Sequence, residues 1–344
     1  PWGASTQTGI FNGQANTLNT DANWPGVPGD ATLKVDSAYF SWYIDETPLY
    51  LSLGRRPSTG GPPLHYRNDE MRQGTPMGTI IDFQFDGATL GYKFSDVTTV
   101  RACYGMGYES QYGQGMISKD NALKDAQFFG FNIDAYNTEE MQIQTTIARA
   151  FDLTDGFDGN IIMPVNPVTG AAYLQDTVDI WGLIINAGVR LDFWAPGPEV
   201  EKVMENPDDY LFITEDMAEE FYGDTFEAFG SRWKARLSPR LGLSCPVTER
   251  DKFFFNYGHF SQRPNYVNVY SKISSVSSED FPIVGNLNLN PQREVMYDLG
   301  ARHQFTDDLA VDFSVFFNDI YDYPKSSRFE RPGRAPIFIY INED

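Results

Sequence analysis

Through the second half of the chain, charged and amide side chains recur at two-residue spacing: Arg190 with Asp192, Asn186 just before them, Arg236 and Arg240, Asn256, Asp298, Arg302 and Asp312, with Arg101 earlier. Side chains two apart on a strand share a face. Collected on one face of a sheet, such groups can set a field that selects ions and solutes, hold another polypeptide by salt bridges, or merely pair across strands, as Arg302 could with Asp312. They do not make a catalytic constellation. The sequence has no nucleophile elbow, phosphate-cradling loop or zinc spacing among His65, His259 and His303, and its many acids single out no glycosidase pair. Binding and passage are therefore expected, with no enzyme activity and no cofactor.

Three other segments could bind ligands. The run Arg55-Arg56-Pro57-Ser58-Thr59-Gly60-Gly61-Pro62-Pro63 offers two guanidinium forks to an anionic solute or lipopolysaccharide, or simply ends a strand. Asp152-Leu153-Thr154-Asp155-Gly156-Phe157-Asp158-Gly159 has carboxylates near a glycine but lacks a full calcium-loop spacing, and turn chemistry explains it equally well. The stretch from Glu199 to Glu227, with Asp208, Asp209, Glu215, Asp216, Glu219, Glu220 and Asp224, reads as a solvated acidic loop or a site for divalent cations.

What must position the two-spaced polar residues is a set of alternating strands. Leu183, Ile185, Ala187, Val189, Leu191 and Phe193 occupy one parity and Asn186, Gly188, Arg190 and Asp192 the other, and 293–305 and 309–321 repeat the pattern. Strands are expected at 32–45, 49–55, 79–94, 98–108, 126–136, 141–152, 171–180, 183–193, 232–246, 252–261, 293–305, 309–321 and 337–342. Short turns near Pro48, Asp96, Asn137, Trp181, Glu249 and Asp307 alternate with long polar connections at 56–78, 109–125, 153–170, 194–231, 262–292 and 322–336. Compact soluble domains rarely carry so many loops above about 12 to 15 residues. The fold class expected is all-β: an antiparallel transmembrane β-barrel, or an incomplete barrel segment, with short periplasmic turns and long extracellular loops.

Composition is compatible with this. A mean hydropathy of −0.38 does not exclude a membrane, because a barrel shows lipid only every second residue. Phe253, Phe255, Tyr257, Trp181, Trp194 and Tyr297 are candidates for aromatic girdles. A net charge of −21 without a basic patch argues against nucleic acid as a partner. Cys103 and Cys245 fall on opposite parities, which disfavours a disulfide. The start at Pro1, without an initiator Met, leads us to expect that an export signal was removed or never included. The odd strand number, an outer position for 1–31 and an end part-way along an inward strand at Asp344 lead us to expect an excised piece of a larger barrel.

From about Ala171 the blocks AAYLQDTVDI, GLIINAGVRLDFWAPG, SRWKARLSPRLGLSCPVTERDKFFFNYGHFSQRP and IVGNLNLNPQREVMYDLGARHQFTDDLAVDFSVFFNDIYD resemble the barrel of a TonB-dependent outer-membrane receptor. The first half, with LYLSLGRRPSTGGPP, IIDFQFDGATLGYKF and IARAFDLTDGFDG, resembles a porin-like outer-membrane family of unassigned function. The resemblances imply residues 1–170 as porin-like strands and 171–344 as receptor-like strands without a plug domain, joined near Pro164 to Gly170: a chimera, or one divergent receptor. They further imply a Gram-negative outer-membrane location and solute uptake. The alternatives are a passive porin or a secreted β-rich binding or adhesion module. The implied partners are outer-membrane lipid and lipopolysaccharide, a small solute, and the TonB complex through a plug. Pulling on a plug by that complex is what lets solute pass in the receptor family.

Overall fold

Strand alternation produces one long antiparallel meander in the computed structural model, which describes residues 38–57, 84–106, 127–138, 140–151, 165–207, 213–264, 266–270, 283–330 and 336–343. The meander runs β1 (Ala38–Tyr43), β2 (Leu49–Pro57), β3 (Gln84–Lys93), β4 (Thr99–Met106), β5 (Gln127–Asn137), β6 (Met141–Phe151), β7 (Val168–Ile180), β8 (Leu183–Ala195), β10 (Ser231–Pro246), β11 (Asp251–Gln262), β13 (Gln292–Thr306) and β14 (Leu309–Tyr321), each paired with the next. The short β9 (Phe226–Ala228) pairs with the start of β10. Twelve of the expected strands thus form one barrel wall, open between β1 and β14 among the described residues. All six expected tight turns join neighbours at one end of this wall. At Trp181-Gly182 both residues take positive φ, the two-residue hairpin geometry that matches strand twist.

Register fixes two faces. One row across the wall reads Val178, Ile185, Leu243, Phe255, Leu299 and Val315. The neighbouring row reads Thr177, Asn186, Gly242, Asn256 and Asp298 before ending on Phe316. The apolar face stands open: Leu90, Tyr104, Leu174, Leu191, Leu237, Phe253 and Leu299 are all exposed. The polar face is the enclosed one, with Ser52, Thr89, Arg101, Asn132, Asp134, Gln144, Arg190 and Ser238 buried. The elements that touch extensively are sheet neighbours or parts of one end structure, so no second layer covers this face among the described residues. Side chains there bury one another, as the inside of a curled sheet requires.

Close approach across strands demands glycine at Gly300, where an added Cβ would lie 2.2 Å from the Phe254 ring. Pro239 stands where β10 still pairs with Val189 of β8 but pairing with β11 has stopped at Arg240, so its missing N–H breaks no ladder on that side.

The long-loop end holds a packed cap, a departure from the structureless connections expected there. Helices α1 (Pro198–Glu205) and α2 (Glu215–Asp224) occupy the acidic stretch, and α3 (Tyr266–Tyr270) follows β11. Val200, Val203, Met204, Phe221, Tyr270, Leu287, Leu289 and Ile337 form its core. The strand expected at 337–342 is also corrected. It exists as β16 (Ile337–Glu343), but it pairs with β15 (Tyr323–Phe329) and, in parallel, with β12 (Ile283–Val284) in a separate three-stranded sheet. Its Ile337 enters the cap core and Ile339 is buried, so neither points outward to the wall's apolar face. No helix is long and apolar enough to cross a membrane among the described residues, which says nothing about strands.

Candidate functional site

The ten two-spaced residues all fall on the enclosed face. Successive registers link Arg101 to Asn132, Asn132 to Thr146, Thr146 to Ala171 and Ala171 to Asp192, then Asp192 to Arg236, Asn186 through Gly242 to Asn256, Asn256 to Asp298, and Arg302 to Asp312. They do not form one cluster. Four separate groups result.

On the β4 side, Arg101 donates from Nε to Asn132 Oδ1 at 2.8 Å and from Nη2 to Asp134 Oδ2 at 3.0 Å. Asn132 Nδ2 continues to Thr146 Oγ1 at 3.0 Å. In the middle, Arg190 Nη2 lies 2.6 Å from Asp192 Oδ1, and its Nε reaches both carboxylate oxygens at 2.9 Å. Beside this pair stand Arg236 and Arg240 on β10, the latter with its guanidinium 4.6 Å from the Phe260 ring centre. Further round, Asn256 Nδ2 donates to Asp298 Oδ2 at 3.1 Å, while Asn256 Oδ1 leans over Gly242 towards Asn186. Last, Arg302 Nε and Asp312 Oδ1 are 3.6 Å apart and well exposed, a loose cross-strand pair.

Sequence reasoning passed over Asn132, Asp134, Gln144 and Tyr173, which lie on the same face between Arg101 and Arg190. Their two-residue spacing was a usable signal in β5 and β6, whose alternation is blurred by Thr145 and Thr146. It also passed over the knot where cap meets wall. Lys234 Nζ, at the outer end of β10, donates at 2.8 Å to Asn288 O, Asn288 Oδ1 and Asn290 Oδ1, with Asp224 Oδ2 at 3.8 Å. Burial pushes this ammonium down to about 8, against the pull of Asp224 and Glu220. In Asn286-Leu287-Asn288-Leu289-Asn290 the leucines enter the cap core while the asparagines bond Tyr340 O, Lys234 and Asp224. Asn342 Nδ2 ties Asn290 O to Asp322 O from β16.

The cap is fastened elsewhere by single polar bonds. Glu201 of α1 accepts from Arg232 N at 2.8 Å, Thr214 Oγ1 caps α2 by accepting from Met217 N, and Tyr270 OH donates to Pro196 O at 2.8 Å. Among the aromatics proposed as girdles, Trp181, Phe253 and Tyr297 are exposed, and Tyr257 packs 5.1 Å from Tyr297. Trp194 shares the parity of Arg190 and Asp192 and faces Lys234 beneath the cap, so the outer-end aromatic pair on the apolar face is Phe193 with Trp233, at 6.0 Å. Neither cysteine forms a disulfide: Cys245 is exposed and Cys103 faces Gly130 across β4 and β5.

Among the described residues no group of three or more His, Cys, Asp or Glu is placed to hold a metal ion. Asp208 and Asp209, the segment Asp152 to Gly159, and residues 58–63 of the double-arginine run lie outside the described residues.

A family model described as a protein of unknown function, DUF3373, matches residues 1–192. That span crosses the junction expected near Pro164 to Gly170, where β6 and β7 pair without a break in the sheet. No curated protein matches the chain. Similar solved structures include the siderophore receptor PirA from Pseudomonas aeruginosa, at 13% identity over 88% of this chain and 46% of that one with a TM-score of 0.42. The copper transporter OprC matches at 15% identity over 88% and 47%, with a TM-score of 0.45. A mutant of the ferric enterobactin receptor PfeA from Pseudomonas aeruginosa, in complex with enterobactin, matches at 13% over 88% and 46%, with a TM-score of 0.46. The chain spans about half the length of these structures.

Proposed function

Since this chain belongs to the DUF3373 family, whose function is unassigned, we infer its role from its own two faces. We propose that it is part of the wall of an outer-membrane barrel that takes up solute, of the TonB-dependent receptor kind.

The observation that carries this reading is the inversion of the usual soluble arrangement. In a soluble sheet the apolar face is buried and the polar face is wet. Here Leu174, Leu191, Leu237 and Leu299 stand exposed while Arg101, Arg190 and Ser238 are enclosed. An exposed apolar surface running across so many strands is costly in water and favourable against hydrocarbon. Paired arginines and carboxylates inside the wall suit an aqueous path or a plug, and the folded cap would sit over the outer mouth. Outer-membrane lipid and lipopolysaccharide around the apolar face, and a TonB complex acting through a plug, belong to the same proposal.

The test is flotation of the purified chain with lipid vesicles, followed by gel migration in detergent before and after boiling. Co-flotation with a heat-dependent mobility shift is the expected outcome. A chain that stays in solution after high-speed centrifugation without detergent would instead be a secreted β-rich module.

A further inference from the structure

The enclosed face carries a row of cations that its own carboxylates do not neutralise. Arg236, Ser238 and Arg240 share this face on β10, and Ser238 stands opposite Arg190 of β8. Arg236, Arg190 and Arg240 therefore succeed one another along the strand direction in steps of two residues, roughly 6 to 7 Å each. Asp192, directly opposite Arg236, gives both oxygens to Arg190. Arg236 and Arg240 make no ion pair among the described residues, and the Nε of each is shut away from water with no hydrogen-bond acceptor. The charged and titratable neighbours of Arg240 are Arg190, Tyr173 and Asp192. Gly188 and Gly258 flank it on the two adjacent strands, with the Phe260 ring lying over Gly258 and the Tyr173 hydroxyl beside Gly188, and neither supplies an anionic acceptor.

A guanidinium whose Nε is shut away from water without an acceptor is destabilising, and two of them beside a third compound the cost. An anion that supplied the missing oxygens would relieve it, because guanidinium forks bind carboxylate and phosphate in a bidentate way. We propose that Arg236, Arg190 and Arg240 form an anion-binding row for a solute bearing carboxylate or phosphate groups. It starts below the cap, where the next cation outward, Lys234, is already taken by Asn288 and Asn290. This proposal rests on the transport reading and names the substrate class for it.

The experiment is calorimetric titration of the full chain in detergent with sodium citrate and, separately, sodium phosphate, at constant ionic strength against chloride. At least one anion is expected to bind, Arg240→Gln to weaken it roughly 10- to 100-fold, and Arg302→Gln, on the same face but outside the row, to leave it unchanged. Citrate alone would assign carboxylate, phosphate alone would assign phosphate, and both would assign the shared chemistry. Binding of neither, as expected of a wall that pairs only with protein carboxylates, overturns the proposal, as does binding that survives Arg240→Gln. Flotation is run beside it. A wild-type chain that floats but binds neither anion loses this inference and keeps the transport reading, whereas one that does not float loses both. Arg240→Gln should still float, since it removes an uncompensated charge; its failure to do so would make the arginine structural and overturn the row.

Discussion

Arg101 and Asp134 close a salt bridge across β4 and β5, Nη2 to Oδ2 at 3.0 Å, with side chains only 9% and 6% exposed. A pair so enclosed is weak evidence of net stability but a strong constraint on either partner alone. Arg101→Met leaves Asp134 charged and enclosed and should cost about 3 to 5 kcal/mol. The double change Arg101→Met with Asp134→Leu should recover much of that loss. Denaturant unfolding of the chain in detergent reads both, and a double variant no better than the single one would mean that the pair is not the source of the loss.

Which face meets hydrocarbon can be tested at one strand. Val189, opposite Leu174 and Pro239, lies on the apolar face near mid-strand, and Val189→Arg should cost about 2 to 4 kcal/mol in a bilayer. Alternation alone makes Arg190→Val look like the mild control. The structure does not, because losing Arg190 strands Asp192. Asn186→Val, on the exposed part of the enclosed face, is the milder one and should change stability by well under 1 kcal/mol. Equal losses at 186 and 189 would show that neither face sees lipid.

The contact between Phe254 and Gly300 makes a steric prediction. The ring lies across the glycine so closely that Gly300→Ala must displace it, at a cost of about 1 to 3 kcal/mol. Combining it with Phe254→Ala removes the clash. Unfolding midpoints of the four chains in the double-mutant cycle should therefore be strongly non-additive, and simple additivity would place the ring elsewhere.

How much of this was legible in the sequence follows from what alternation encodes. It reports that two faces differ, and Arg190, Arg236 and Asp298 share one of them because strand register changes only by whole residues. It does not report what each face touches. Ile337, Ile339 and Ile341 alternate as well as Val311, Phe313 and Val315 do, yet Ile337 enters a packed cap core, Ile339 is buried with it away from lipid, and the second set lies on the wall's open face. The cap itself was hidden because its helices are short and acid-rich. Glu215, Asp216, Glu219 and Glu220 dominate the reading of α2, although Ala218 and Phe221 are what anchor it. Lys234 and Asn288 are 54 residues apart, and no local spacing announces their bond.

That bond gives the cap a pH dependence with a definite sign. Lys234 has a folded pKa of about 8 against an ordinary value of 10.5. Between those values the unfolded cap still holds a proton that the folded cap has released, so stability rises with pH across this window. Below about pH 8 both states are protonated and the lysine adds no slope. Lys234→Met removes the group and should flatten the contribution. The readout is hydrogen exchange of the backbone amides of α2 and of Asn288 to Asn290, after correcting for intrinsic exchange, in wild type and variant from pH 7 to 10. Wild-type protection should climb relative to the variant above pH 8 and run parallel to it below. Curves that stay parallel up to pH 10 would mean that the three asparagine oxygens around Nζ, with Asp224, hold the proton as tightly as burial expels it.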